Sequence, residues 1–230
     1  VISIYINEKY QIMINTMTFS ERFRGYMPVV IDVETGGFNH TTDALLEIAA
    51  VFIKLDKNGN FVPGNIIHNH IKPFSGSNLE PESLAINKID PHNPFRMAID
   101  EYDALESIFD QTQIYLKKHQ CKRAVLVGHN AAFDLNFINA AIKRCSLKNN
   151  PFHSFTCFDT ATLCGLAYGH TVLAKAVNIA GFAWDPKQAH SATYDAKKTA
   201  EIFCDVVNRY KNIFRRSWLE SNYRRPSCWW

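Results

Sequence analysis

Residues 29–37 read VVIDVETGG. Val29, Val30, Ile31 and Val33 suit the interior of a sheet, yet Asp32 and Glu34 interrupt them with acids. Side chains two apart on a strand point to one face, so these two carboxylates sit side by side. Like charges held that close repel and raise each other's pKa unless a cation lies between them. The stretch implies a buried strand that ends in a site wanting positive charge.

The segments around it alternate in character. Met27 to Val33 reads as a first strand, and strand character resumes from Ile48 to Leu55. Lys57 to Gly59 supplies a turn, and GNIIHNHIKP (64–73) reads as a third strand paired antiparallel with the second. Helical patterns follow in EPESLAIN (80–87), YDALESIFDQTQIYLKKH (102–119) and AAFDLNFINAAIKRC (131–145), with the apolar strand RAVLVGH (123–129) just before the last. ATLCGLAYG (161–169), VLAKAVNIAG (172–181) and DAKKTAEIFCDVVNRYKNIF (195–214) complete the set, and two of the three end in glycine, as helices tend to. A strand meander followed by alternating strand and helix predicts an α/β fold with one mixed sheet flanked by helices.

Composition sets limits on function. A chain of 230 residues with 47% hydrophobic and 20% charged residues is long enough and apolar enough for a globular core. The formal charge of +3 is too mild to establish a nucleic-acid partner, and it permits one if acids gather in a pocket and bases elsewhere. The cysteines (Cys121, Cys145, Cys157, Cys164, Cys204, Cys228) include no C-x-x-C pair and lie mostly among apolar residues. They read as buried free thiols rather than a disulfide or zinc framework. No apolar run reaches the roughly 20 residues needed to cross a bilayer, and the N-terminus lacks the pattern of a secretion signal, so a cytoplasmic location is expected. Residues 1–20 read as a disordered or non-native extension, residues 21–216 as a single domain, and residues 217–230 as a disordered tail.

Acids reappear at two further places. Asp134 follows the strand RAVLVGH at the start of a helical pattern, and strand ends are where open α/β sheets gather functional groups. His190 and, five residues on, Asp195 are expected on the first turns of the last helix. Each feature alone has a bland reading: an Asp at a helix N-terminus is commonly a capping or dipole interaction, and a lone His commonly a satisfied core residue.

The combination is more specific. Asp-x-Glu-Thr on a first strand, Gly-His-Asn-x-x-Phe-Asp after a later strand and His-x-x-x-x-Asp near the C-terminus resemble the DEDD exonuclease superfamily, in its histidine-containing branch. The tyrosine branch requires Tyr four residues before the last Asp, where this chain has Ser191. The resemblance runs from Val29 to about Tyr210 and implies a ribonuclease-H-like fold and phosphodiester hydrolysis assisted by two Mg²⁺ per subunit, with Mn²⁺ a possible substitute. It assigns Asp32, Glu34, Asp134 and Asp195 as metal ligands and His190 as general base. The positive group between Asp32 and Glu34 is then a metal ion.

Stretches between the motifs sharpen the resemblance. FRGYMPVVIDVETGGFN, TDALLEIAAV, NLEPESLAIN before IDP, SLKNNPFH and FDTATL are similar to the bacterial ribonuclease T family. That similarity implies a 3′→5′ exoribonuclease that trims the 3′ ends of transfer RNA and other small stable RNAs, releases nucleoside 5′-monophosphates, also accepts single-stranded DNA, and works as a homodimer. It assigns Phe38, Phe133 and Phe155 to stacking on terminal bases and Glu82 to contacting them. Where the family usually has a further Phe, this chain has Ile86, which packs but offers no π face. Arg22, Arg24, Arg123 and Lys148 are carried over as a phosphate-binding surface. With 16 Phe in the chain the competing reading of any one of them is core, as expected for Phe158. Two alternatives stand beside the leading one: a proofreading-type DNA exonuclease sharing the metals, and a catalytically silent binding module. The retained set of mutually repelling acids argues against the last.

Overall fold

The computed structural model describes residues 18–211 and 213, so residues 1–17 of the expected N-terminal extension, the whole of the C-terminal tail and Cys228 lie outside the described residues, whereas Thr18 to Ser20 of that extension are described and Phe19 is buried. A short helix α1 (Phe19–Arg22), closed by a capping box between Thr18 and Glu21, leads into β1 (Tyr26–Thr35). Then come β2 (Leu45–Leu55), β3 (Phe61–His70), α2 (Pro81–Asn87), α3 (Glu101–Lys118), β4 (Arg123–Gly128), α4 (Ala132–Arg144) and β5 (Phe152–Asp159). The last helices are α5 (Thr160–Tyr168), α6 (Leu173–Ile179) and α7 (Ala192–Arg209).

The five strands form one sheet in the order β3-β2-β1-β4-β5. The β1–β2 and β2–β3 pairs are antiparallel, whereas β1–β4 and β4–β5 are parallel. This is the mixed, helix-flanked sheet expected. It contains a strand the sequence reading missed. In β5 the sequence FHSFTCFD shows no apolar alternation, and its pairing jumps from Ala124↔Phe152 to Leu126↔Cys157, so its middle residues bulge out of the ladder.

Alternation along β1 divides the core. Met27, Val29, Ile31 and Val33 face a cluster that includes Leu105 and Ile108 of α3 and Leu135 and Ile138 of α4. Val30 faces the other way, with Ala49 and Val51 of β2 and Val127 of β4, under α7. On α7 the residues Ala192, Ala196 and Ala200, spaced by four, present the smallest side chains to the sheet. The helix can therefore lie close to it, and Phe203 anchors its far end with burial worth about 1.5–3 kcal/mol. The row Val30, Asp32, Glu34 continues beneath the first turn of α7, and this packing sets up the site.

Candidate active site

The carboxylates meet for local reasons. Asp32 and Glu34 share the α7 face of β1 by strand period. Asp195 sits in the first turn of α7, one residue before buried Ala196. Asp134 lies in the first turn of α4, and only 4% of its surface is exposed. Its Oδ1 accepts a hydrogen bond of 3.1 Å from the backbone N–H of Val33, which fastens α4 to β1 between the other two acids. The turn before α4 needs a glycine, since a Cβ on Gly128 would come within 2.9 Å of Asp134 Oδ2 and 3.0 Å of Ala131 Cα.

His190 departs from the expectation. It lies before α7 rather than on it, in a left-handed conformation with φ 63°, and its side chain is exposed. The helix starts later because Ser191 is extended and serves as its N-cap. The left-handed turn aims the His190 backbone N–H at Asp195 Oδ2, 3.0 Å away. Ligand atoms of Glu34, His190 and Asp195 all fall within 4.8 Å of one another.

Burial raises the pKa values of all four acids, and repulsion from neighbouring carboxylates adds to it at Asp32, Glu34 and Asp134. Desolvation is the largest influence on Asp32, followed by the negative charges of Asp134, Asp195, Glu34 and Glu47, and all of them push its pKa well above the usual range. Glu34 is raised to about 8 by desolvation and then by Asp195, Glu47 and Asp134. Asp134 also rises to about 8 through desolvation, although backbone hydrogen bonds pull the other way. Asp195 is raised by desolvation, against the opposing backbone hydrogen bond and charge of His190. Asp195 Oδ1 is buried and has no hydrogen-bond partner among the described residues. Buried acceptors without partners are rare, so an orphan oxygen facing a group of acids fits a metal ion as its missing partner. The oxygen-rich donor set suits a hard divalent cation.

Aromatic residues frame this end of the sheet. The loop after β1 folds back tightly: Thr35 Oγ1 donates to the Gly37 carbonyl at 2.6 Å, and a Cβ on Gly37 would fall 2.1 Å from Asp43 Oδ2. Phe38 projects from this braced loop with 80% of its surface exposed. Phe133, partly buried at the start of α4, lies edge-on to it at 6.2 Å between centroids. A large apolar ring held in water beside buried acids is not core. The bland reading holds instead for Phe158, which packs into the cluster beneath α7.

The sequence of residues 29–203 matches a family of the ribonuclease T type described as exonuclease. The chain belongs to the ribonuclease T family of exonucleases. Ribonuclease T of Cronobacter sakazakii is 57% identical over 194 residues, covering 84% of this chain and 87% of that protein. Ribonuclease T of Vibrio vulnificus is 56% identical over 198 residues, covering 86% of this chain and 91% of its own length. Among solved structures, Escherichia coli exonuclease I in complex with a dT13 oligonucleotide aligns with a TM-score of 0.62 at 18% identity. That alignment covers 86% of this chain and 44% of exonuclease I, and it bears on fold alone.

The remaining expected residues are more scattered. Glu82 is exposed on α2, as is Ile86 on its last turn, with 52% of its surface accessible. The adjacent Asn87 is buried and donates to the Thr35 carbonyl at 3.0 Å, so α2 is tied to the end of β1. Phe155 emerges from the β5 bulge with 78% exposure, and its ring neighbour is His153 at 4.5 Å rather than Phe38 or Phe133. At the opposite end of β1, the Lys122 backbone N–H donates to the Gly25 carbonyl at 2.6 Å and Tyr26 pairs with Arg123, so Arg24, Lys122 and Arg123 come to the same end of the parallel ladder. Arg22 is close by on α1, and Lys148 lies on the loop that enters β5 at the same end of the sheet. Two groups near the site escaped the sequence reading. Glu47 lies directly opposite Glu34 on β2, and Asp159 at the end of β5 contributes to raising Asp134. The signal for Glu47 was available, since the apolar run LLEIAAV carries one acid at its centre.

Proposed function

We propose that this chain is a metal-dependent 3′→5′ exoribonuclease that trims 3′ ends of transfer RNA and other small stable RNAs, and that it also degrades single-stranded DNA. The observation that carries this reading is the uncompensated group of acids beside the exposed Phe38. Asp32, Glu34, Asp134 and Asp195 would hold two Mg²⁺, with Mn²⁺ a possible substitute. Such a pair supplies a water that is nucleophilic near neutral pH and neutralises the leaving oxygen.

The protein's own groups do the rest. His190 takes the proton from the attacking water at an imidazole nitrogen, a role that its exposed side chain and its backbone tie to Asp195 both support. Phe38 and Phe133 hold the terminal bases by stacking, each base worth about 1–3 kcal/mol. Phe155 and Glu82 add contacts to the incoming strand, and Ile86 gives apolar contact without a stacking face. Arg22, Arg24, Arg123 and Lys148 hold phosphates. Those bases lie at the far end of β1, roughly 25 Å from Glu34 by strand length, which supports a homodimer in which one subunit's basic surface feeds its partner's active site. The enzyme would act in the cytoplasm; among the described residues no helix is long and apolar enough to cross a membrane.

A time course with Mg²⁺ on end-labelled substrates tests the reading. Stepwise trimming of a transfer RNA with a short 3′ extension, halting near the stem, is the expected result. Preference for a mismatched 3′ end in duplex DNA would move the enzyme to proofreading, and no cleavage with Mg²⁺ or Mn²⁺ would leave a binding module.

A further inference from the structure

The row of ionisable residues does not stop at Glu34. Glu34 faces Glu47 across β1–β2, and Glu47 faces His70 across β2–β3, so the three lie in one line on the α7 face of the sheet. His68, two residues before His70, shares that face. Glu47 is 6% exposed, and its Oε1 lies 2.5 Å from His68 Nε2. The two imidazoles meet edge-to-face with centroids 4.6 Å apart. His70 Nδ1 is buried and has no hydrogen-bond partner among the described residues. One donor atom from each of Glu47, His68 and His70 falls within 4.8 Å of the others.

We propose that Glu47, His68 and His70 form a separate cation site for a transition metal of the Zn²⁺ class, distinct from the oxygen-rich catalytic pair. Two imidazoles and one carboxylate, with room for water, are a donor set that favours Zn²⁺ over Mg²⁺. In a tetrahedral Zn²⁺ site with bonds near 2.0–2.1 Å, neighbouring ligand atoms stand about 3.3 Å apart. The observed spacing brackets that value: Glu47 and His68 must part by somewhat under about 1 Å, and the group as a whole must contract slightly. His68 and His70 are partly exposed, which gives an ion a route inward.

The opposing charge is Arg96. Its guanidinium lies near enough to Glu47 and His70 to act on both and donates to the Leu46 carbonyl at 2.7 Å. It opposes any divalent cation alike, so preference for Zn²⁺ over Mg²⁺ rests on the two imidazole donors. Bound there, the ion ties the ends of β2 and β3 together and neutralises Glu47, which otherwise adds to the charge pressing on Asp32 and Glu34.

Cobalt(II) titration of metal-free full-length protein tests this, read by the visible absorption that nitrogen-ligated tetrahedral Co²⁺ gives. The host is the Asp32→Asn/Asp195→Asn variant, in which the catalytic site is disabled, so failure of the nuclease reading does not affect the readout. One equivalent of Co²⁺ should bind with a visible band, be displaced by Zn²⁺ and resist excess Mg²⁺. His70→Gln, His68→Gln and Glu47→Gln should each abolish the band, and circular dichroism should show which of them fold. A Zn²⁺-dependent rise in the Tm of the host variant gives a second readout that needs no further substitution. Absence of both the band and the rise, or a band that survives in every folded ligand variant, would overturn the proposal and leave the cluster as a hydrogen-bonded neutralisation of Glu47.

Discussion

The two ends of β1 carry opposite charge and treat it differently. At the Tyr26 end, Arg24, Lys122 and Arg123 gather, and all three are exposed. Solvated cations cost the fold little, and their grouping alone identifies nothing. At the Glu34 end, the acids lie beneath α7 and beside α4, and the pKa values of Asp32, Glu34 and Asp134 rise because water has been removed and no basic side chain offsets the loss. A charge that the fold does not compensate marks the site, whereas one that the solvent compensates does not. That difference can be attacked from either end.

The largest expected effect comes from Asp32→Asn, which should reduce hydrolysis to background because every other acid of the group presses on this position. The same substitution should raise stability in metal-free buffer, since it removes a buried repulsive charge; a loss of stability there would show the acids are compensated after all. Glu34 sharpens the point through pH. Its folded pKa of about 8 stands above its ordinary value of 4.5, so the folded chain holds the proton more tightly than the unfolded chain. The resulting stability is complete below the ordinary value and disappears as pH rises through about 8. Asp134 acts in the same direction, also from about 8. The Tm of metal-free protein should therefore fall from mildly acidic to mildly alkaline pH, Glu34→Gln should flatten the fall, and saturating Mg²⁺ should oppose it.

His190→Ala should lower turnover by roughly 10²–10⁴-fold, the usual contribution of a general base, while calorimetric Mg²⁺ binding stays near normal. Lost Mg²⁺ binding would make His190 a ligand, which its distance to Glu34 and Asp195 also permits. Phe38→Ala should weaken single-strand binding by about 1–3 kcal/mol with stability unchanged, because its ring is already in water. A comparable loss of stability would return Phe38 to the core.

Legibility in the sequence followed the same divide. Asp32 and Glu34 could be read because strand period fixes which side chains share a face, and Asp134 because helices after parallel strands begin at one edge of the sheet. β5 could not, since its bulge removes the alternation that reveals a strand. His190 was placed on a helix that begins two residues later, because nothing in HSATYD reveals the left-handed turn. The alignment of Glu47 and His70 with Glu34 depends on register across three strands, and the β1–β2 and β2–β3 ladders both shift register along their length. Convergence of Arg24 and Arg123, a hundred residues apart in the chain, depends on the parallel β1–β4 pairing.

The smallest effect comes from the basic end, where Arg24 separates binding from stability. Arg24 holds a left-handed conformation with φ 57°, immediately before Gly25 at φ 83°. For a residue with a Cβ this costs about 1–2 kcal/mol, which Arg24→Gly would relieve. The greater backbone freedom of Gly in the unfolded chain takes back about 0.5–1 kcal/mol, so the variant should be as stable as the parent or slightly more so. If the Arg24 side chain contacts one phosphate, its loss should reduce the slope of log affinity for single-stranded RNA against log salt by about 0.7. Hydrolysis of a very short oligonucleotide, which cannot reach the basic end, should not change. Equal loss on short and long substrates would mean that Arg24 acts on the active site through the fold, and an unchanged salt slope would return it to the solvated surface.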